Sequence, residues 1–323
     1  MEGPDLIATL IPSDDDDLAR NAFRHEDNQK RCLPPTRGID EGPATSSREA
    51  TPACAQSIVD DYGTHEHKHR LRLTFNKEPP KDPTKGYAFG TDKQKCDVLL
   101  GSRGARGTSR VHFHITFDLI GGKRRLVLTD CSTHGTAVIY NGQAREEVRH
   151  HFTWILNLAK GEGEWKIVVH VRRLKFKVEL ASHETYKAEY NENVEKFLNH
   201  SRTADPPLGV LSINSYLTTV IPSQSLTPGQ RPIYIHEEEL GRGSFGRVDR
   251  VVNVSTGAIY AHKEFYEPKW EKDAEHRKHQ QEKWRNQIRR EIRIMMEHPY
   301  VSITTQVRGI DNNRCERNIL FRS

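Results

Sequence analysis

The chain contains no apolar run approaching the roughly 18 consecutive residues a membrane-crossing helix requires. Its first residues, MEGPDLIATLIPSDDDD, lack the basic start and long apolar stretch of a secretory signal. These two absences exclude an integral membrane protein and a secreted one. Cysteine is scarce: Cys32, Cys54, Cys96, Cys131 and Cys315 are scattered with no Cys-x-x-Cys pair, which argues against both a zinc site and a disulfide framework. A reducing intracellular compartment, nuclear or cytoplasmic, fits best. Hydrophobic residues are also few, at 35% against 29% charged, where compact domains carry roughly 45 to 50% apolar residues. Part of the chain is therefore expected to be disordered. No strong charge of one sign is present, and a net +5 over 323 residues is too mild to argue for nucleic acid. At roughly 100 to 200 residues per domain, this length allows two modest domains, or one domain flanked by disordered tails.

What is present divides into four segments. Residues 1–65 carry Asp14 to Asp17, LPPTRG and EGPATSSREATPACAQ with almost no periodic apolar pattern, and read as a disordered tail. From 66 to 182 the texture is β-rich, with LRLTF, CDVLL, HFHITF, RLVLTD, GTAVIY, FTWILNL, WKIVVHV and LKFKVEL separated by breakers such as Gly121-Gly122 and Asn141-Gly142. Short runs at this spacing predict an all-β sandwich or barrel. Residues 183–230 begin with a polar stretch of helical character, then turn rich in Pro and Ser, and read as a linker. Residues 231–323 start with strand, glycine-rich turn, strand, turn and strand, followed by a helix over about 269 to 297. After His298-Pro299 the periodicity fails, leaving an irregular tail.

Three motifs in the β block occur in a telling order. They are Phe89-Gly90 before Cys96-Asp97-Val98-Leu99-Leu100, then Ser109-Arg110-Val111-His112, and then Asp130-Cys131-Ser132-Thr133-His134-Gly135-Thr136 followed by Asn141-Gly142. Together they resemble the forkhead-associated (FHA) domain, an eleven-stranded sandwich that reads phosphothreonine, over about residues 70 to 180. The resemblance implies that Ser109, Arg110 and Thr133 hold the phosphate, that His134 contacts the peptide main chain, and that Gly90, His112, Gly135, Asn141 and Gly142 are structural. The chemistry agrees, because a phosphate carries close to two charges and three strong acceptors, which a hydroxyl, a guanidinium and backbone amides can share. Two positions depart from the pattern. His134 stands where the family usually has asparagine, and Thr91 follows Gly90 where the family has an arginine; Arg103 or Arg106 are candidates to supply the missing charge. An FHA fold that binds partners through another face, without reading phosphate, is the competing reading.

Gly241-Arg242-Gly243-Ser244-Phe245-Gly246-Arg247-Val248 matches G-x-G-x-x-G-x-V between two strands, a weak signal alone. A strand with Ala261-His262-Lys263 and a helix with Glu291 follow at suitable distances, so the block resembles a protein-kinase N-lobe. The resemblance implies that Gly241, Gly243, Gly246, Val248 and Ala261 border ATP, that Lys263 pairs with its phosphates and that Glu291 holds that lysine. ATP is the implied cofactor, with magnesium only where a complete kinase domain exists. No His-Arg-Asp, Asp-Phe-Gly or Ala-Pro-Glu is present. Asn318-Ile319-Leu320 matches the end of a kinase catalytic loop, but the position five before the asparagine is Asn313, so the match is read as coincidence. The expected assembly is multidomain: an all-β FHA sandwich and an α+β kinase N-lobe fragment behind a disordered tail. No catalytic or metal-binding residue is assigned.

FHA followed by kinase resembles the fungal checkpoint-kinase-2 family, which implies phosphothreonine-bearing partners and Ser/Thr phosphorylation in damage signalling. Only Ser223-Gln224 and Thr305-Gln306 represent that family's Ser-Gln and Thr-Gln cluster. Two readings stay open: a phosphothreonine-binding protein with an inactive, truncated kinase portion, or a partial gene model of an active kinase. Nucleic-acid binding through KHQQEKWRNQIRR is disfavoured by the nearby Glu271, Asp273, Glu275 and Glu282. Zinc binding by His65, His67 and His69 is disfavoured by the lack of nearby cysteines.

Overall fold

The computed structural model describes residues 3–13, 16–33, 70–160, 163–202, 231–244, 246–266, 273–297, 302–307 and 317–322. His65, His67, His69, Ser223 and Gln224 lie outside them. Eleven strands build two facing sheets. The six-stranded sheet runs β2-β3-β1-β11-β10-β8, formed by β1 (Leu6–Pro12), β2 (Cys32–Leu33), β3 (Arg70–Thr74), β8 (Ala137–Tyr140), β10 (Ile167–Val171) and β11 (Leu174–Leu180). The five-stranded sheet runs β5-β4-β6-β7-β9, from β4 (Tyr87–Gly90), β5 (Val98–Leu99), β6 (Val111–Ile120), β7 (Lys123–Asp130) and β9 (Thr153–Ile155). Alternation drives the facing surfaces together. In β11, Leu174, Phe176 and Val178 are buried while Lys175, Lys177 and Glu179 are not. Phe176 meets Phe113 of β6 across the core, with ring centroids 6.4 Å apart.

The expected disordered tail is corrected over residues 3–13 and 16–33. β1 is inserted in the middle of the six-stranded sheet, antiparallel to β3 on one side and to β11 on the other, and all seven of its residues are buried. A strand buried on both faces reads as an unbroken apolar run rather than an alternation, and LIATLIP is such a run. Helix α1 (Asp17–Phe23) follows, its first turn capped by the Asp16 carboxylate accepting from the Ala19 N–H at 2.9 Å. The 3-10 turn Glu26–Arg31 then buries Asn28, whose amide side chain bonds Ala22 O, Leu99 O and Leu99 N–H at 2.8 to 2.9 Å.

The boundary at residue 182 also moves. Helix α2 (Lys187–Arg202) docks on the sandwich, with Phe197 against Phe75 and Phe117, and Tyr190 against the same pair. The segment's polar surface hid this, because the apolar anchors Tyr190, Val194 and Phe197 are only one stripe of the helix.

The remaining strands, β12 (Tyr234–Gly243), β13 (Gly246–Asn253), β14 (Ile259–Phe265), β15 (Ser302–Val307) and β16 (Arg317–Arg322), form an antiparallel sheet ordered β12-β13-β14-β16-β15, accompanied by α3 (Ala274–Met296). The irregular tail is thus corrected at two places, where β15 and β16 extend the sheet. Asn318, Ile319 and Leu320 pair with Glu264, Lys263 and His262 in a strand ladder, not in a loop.

This third sheet rests on the sandwich. The Ile155 N–H donates to Val254 O at 2.8 Å. The Gln143 side chain exchanges two bonds with the His236 backbone, donating to its carbonyl at 2.8 Å and accepting from its N–H at 2.7 Å. Ile233, Ile235, Val252 and Val254 belong to the same buried cluster as the sandwich core.

Candidate functional site

The loops leading into β6 and out of β7 meet at one end of the sandwich. The Ser109 Oγ accepts from the Thr133 N–H at 3.1 Å and lies 3.2 Å from Thr133 Oγ1. Arg110 and His134 are exposed beside this pair. Gly90 matters through close approach, since a methyl group there would come 2.2 Å from the Arg110 carbonyl oxygen. Thr91 is buried, and its N–H donates back to the carbonyls of Ser109 and Arg110 at 3.2 and 3.0 Å. The position after Gly90 therefore braces the loop and offers no charge to its mouth.

His112 lies fully buried beneath the two loops. Its Nδ1 accepts from the Ser109 N–H at 3.0 Å, and its Nε2 lies 3.2 Å from the Gly135 carbonyl oxygen. Only the neutral ring with its proton on Nε2 satisfies both bonds. Burial lowers its pKa, opposed by the Asp130 carboxylate 4.0 Å away. His114 and His170 are lowered too, chiefly by burial. Each stays neutral in the fold, whereas the unfolded chain protonates near the ordinary value of 6.5. The stability they contribute is complete above that value and is lost as pH falls through it toward the folded pKa. The melting temperature is expected to drop between about pH 7.5 and about pH 5.5, and His112→Gln should flatten that drop. A melt equally stable at both pH values would refute the linkage.

Asp130 is the residue whose role sequence reasoning missed. Its buried carboxylate accepts from the Ser132 N–H at 3.1 Å, Ser132 Oγ at 2.8 Å, Thr136 Oγ1 at 2.6 Å and the His151 N–H at 3.1 Å. Ser132 Oγ in turn accepts from the Gly135 N–H at 2.8 Å, which closes the loop around Thr133. The signal was available as a short acid-x-Ser/Thr pattern at a strand end, where such side chains fold the backbone back on itself. Asn141 and Gly142 lie elsewhere. They form a turn with φ +50 and +81 at the far end of β8, about 13 Å from the loop at roughly 3.3 Å per residue. There Asn141 Oδ1 accepts from the Lys166 N–H at 2.8 Å, beside the Gln143 contact to the third sheet.

In the third sheet, cross-strand pairing sets Gly241 and Gly243 opposite Val248 and Gly246, and Val248 opposite Lys263. Paired residues share a face, so Gly241, Gly243, Gly246, Val248, Ala261 and Lys263 line one side of β12 to β14. The Lys263 ammonium is hydrogen-bonded to the Glu291 carboxylate of α3 and sits 5.1 Å from the centre of the Phe265 ring. A Cβ on Gly241 or Gly243 would meet nothing within 4 Å, so the backbone there is open to a ligand. Residues of this kind fit a nucleotide phosphate. Among the described residues no group of three or more His, Cys, Asp or Glu side chains is placed to hold a metal ion. No helix among them is long and apolar enough to cross a membrane.

No family model matches the chain, and no curated protein matches it. Among solved structures, it is similar to a crystal structure of Rad53 1–466 in complex with AMP-PNP, at 18% identity and a TM-score of 0.33, over 73% of this chain and 46% of that one. The chain spans less than half the length of that protein, and an overlap of this quality transfers no residue roles. The class defined by the fold is a β-rich protein, with three sheets and few helices among the described residues.

Proposed function

We propose that the sandwich binds phosphothreonine peptides through Ser109, Arg110, Thr133 and His134. The observation that carries this reading is the Ser109–Thr133 hydroxyl and amide pair, clamped from below by neutral His112 and by Asp130, with the exposed Arg110 beside it. A rigid mouth of donors and one cation is suited to a dianion. The third sheet is proposed as the ATP-binding lobe of a Ser/Thr kinase, on the strength of the Lys263–Glu291 pair. Its Lys263 would neutralise nucleotide phosphates, and the open glycine turn would let their oxygens approach backbone amides. Without the His-Arg-Asp and Asp-Phe-Gly residues of that family, this chain is proposed to bind rather than to phosphorylate. The alternative, a partial gene model of an active FHA-containing checkpoint or damage-signalling kinase, draws on the same ion pair. Nuclear or cytoplasmic residence and phosphothreonine-bearing protein partners follow from the proposal.

Calorimetric titration of the full chain with phosphothreonine, phosphoserine and unmodified peptides tests the binding reading. Phosphothreonine binding is expected to be strongest. Ser109→Ala and Arg110→Ala should each weaken it, Arg110→Ala by about ten- to a hundredfold, since a charged hydrogen bond contributes roughly 1.5 to 3 kcal/mol. Equal binding to all three peptides, or to none, overturns the proposal.

A further inference from the structure

One exposed basic side chain beside the loop mouth has no ion-pair partner among the described residues. Arg172 occupies the tight turn between β10 and β11 with φ +54. An L side chain is disfavoured in that left-handed conformation, and residues kept there against the cost concentrate at ligand-contacting positions. From the turn, the Arg172 side chain crosses to the β5–β6 loop and lies on Gly107. A Cβ at position 107 would stand 2.0 Å from Arg172 Cδ and 2.6 Å from Nη1, so the exposed arginine lies directly over this glycine, whose own φ of +86 favours glycine there. Gly107 is buried while the rest of segment 101–110 is at least partly exposed. Two turns distant in sequence are thus shaped to lay one guanidinium along the loop.

Among the described residues no hydrogen bond or ion pair engages that guanidinium. Ser109 follows Gly107 by two residues, no more than about 7 Å of chain. Thr91 supplies no charge to the same mouth; Arg103 and Arg106, the expected substitutes, are exposed on this loop, and Arg172 is a third basic side chain beside it, reaching in from a different turn. We infer that Arg172 is a specificity-determining residue of the candidate site, its guanidinium binding an oxyanion of the phosphopeptide. That oxyanion is either the phosphate itself or an acidic side chain flanking it, since both match the planar fork of arginine. The inference rests on the phosphopeptide reading above.

The test uses the full chain and four labelled peptide pools, followed by fluorescence polarisation: phosphothreonine with neutral randomised flanks, phosphothreonine with one acidic flanking residue, and the unphosphorylated form of each. Arg172→Gly relieves the left-handed turn, so the melting temperature should hold or rise while affinity falls about tenfold. Arg173→Ala, which removes a neighbouring exposed charge, should change affinity less than about twofold. Loss with both phosphorylated pools identifies the phosphate as the contact, and loss confined to the acidic pool identifies the flanking carboxylate; either supports the inference. Unchanged affinity of Arg172→Gly for both pools, while Arg110→Ala is weakened, overturns the inference and leaves phosphate reading intact. Failure of the parent chain to prefer any phosphorylated pool overturns the reading beneath it.

Discussion

A chain lacking residues 1–13 will not form the sandwich. β1 buries Leu6, Ile7, Leu10 and Ile11 between β3 and β11. Burying each such side chain contributes roughly 1.5 to 3 kcal/mol, so the strand carries a sum comparable to the whole net stability of a domain, about 5 to 15 kcal/mol. Its removal also leaves the inner edges of β3 and β11 with unpaired N–H and C=O groups inside a sheet. The expected result is loss of the sandwich's cooperative circular-dichroism transition in a chain spanning residues 14–323. A milder version is Leu10→Ala in the full chain, which should cost about 2 to 5 kcal/mol through the cavity it opens. If the sandwich of the 14–323 chain melts cooperatively near the temperature of the parent, the strand is an accessory and the argument fails.

The second large effect is expected at Asp130. Four donors converge on its carboxylate, and three of them belong to residues that are themselves buried or form the turn around Thr133. Asp130→Ala leaves those donors unsatisfied, each at a cost of about 1 to 3 kcal/mol where water cannot replace the bond. The sandwich should be destabilised by several kcal/mol, and amide exchange at Thr133 and Gly135 should accelerate more than exchange in β10 and β11. Asp130→Asn is a sharper probe, because it preserves shape but turns an NH2 group toward donors. A variant that keeps both its melting temperature and its exchange pattern would show that the carboxylate organises nothing.

Much of this architecture is legible in the residues, and the reasons differ from one element to the next. The alternation of LKFKVEL predicts β11 because one of its faces is wet. LIATLIP gives no alternation because both its faces are dry, and the acidic run after it disguises a buried strand as the start of a tail. Asn28 was invisible for another reason: a polar side chain that bonds the backbone 71 residues away leaves no periodic trace. At the candidate site, Ser109, Arg110 and Thr133 were singled out by the resemblance to the FHA pattern, and the structure brings Ser109 and Thr133 together. Arg172 could not be found that way, since its relation to Gly107 exists only after two distant turns have formed. The pairing of Lys263 with Glu291 was what the resemblance to a kinase N-lobe implied, whereas the strand character of Asn318 to Leu320 depended on long-range pairing that sequence proximity cannot supply.

The central position of β1 also sets a timetable for the chain as it is made. Ala8 pairs with Leu180, so this strand leaves the ribosome roughly 170 residues before its partner, a delay of about 10 to 30 s at the usual rates of synthesis. Pairings this distant make for slow folding, because the closure entropy of the long loop is lost before any contact offsets it. During that interval β1 is an apolar segment with one available neighbour, β3, and with both of its faces exposed. The four aspartates that follow it, Asp14 to Asp17, stand where a gatekeeper charge would be placed to keep such a segment from associating with copies of itself.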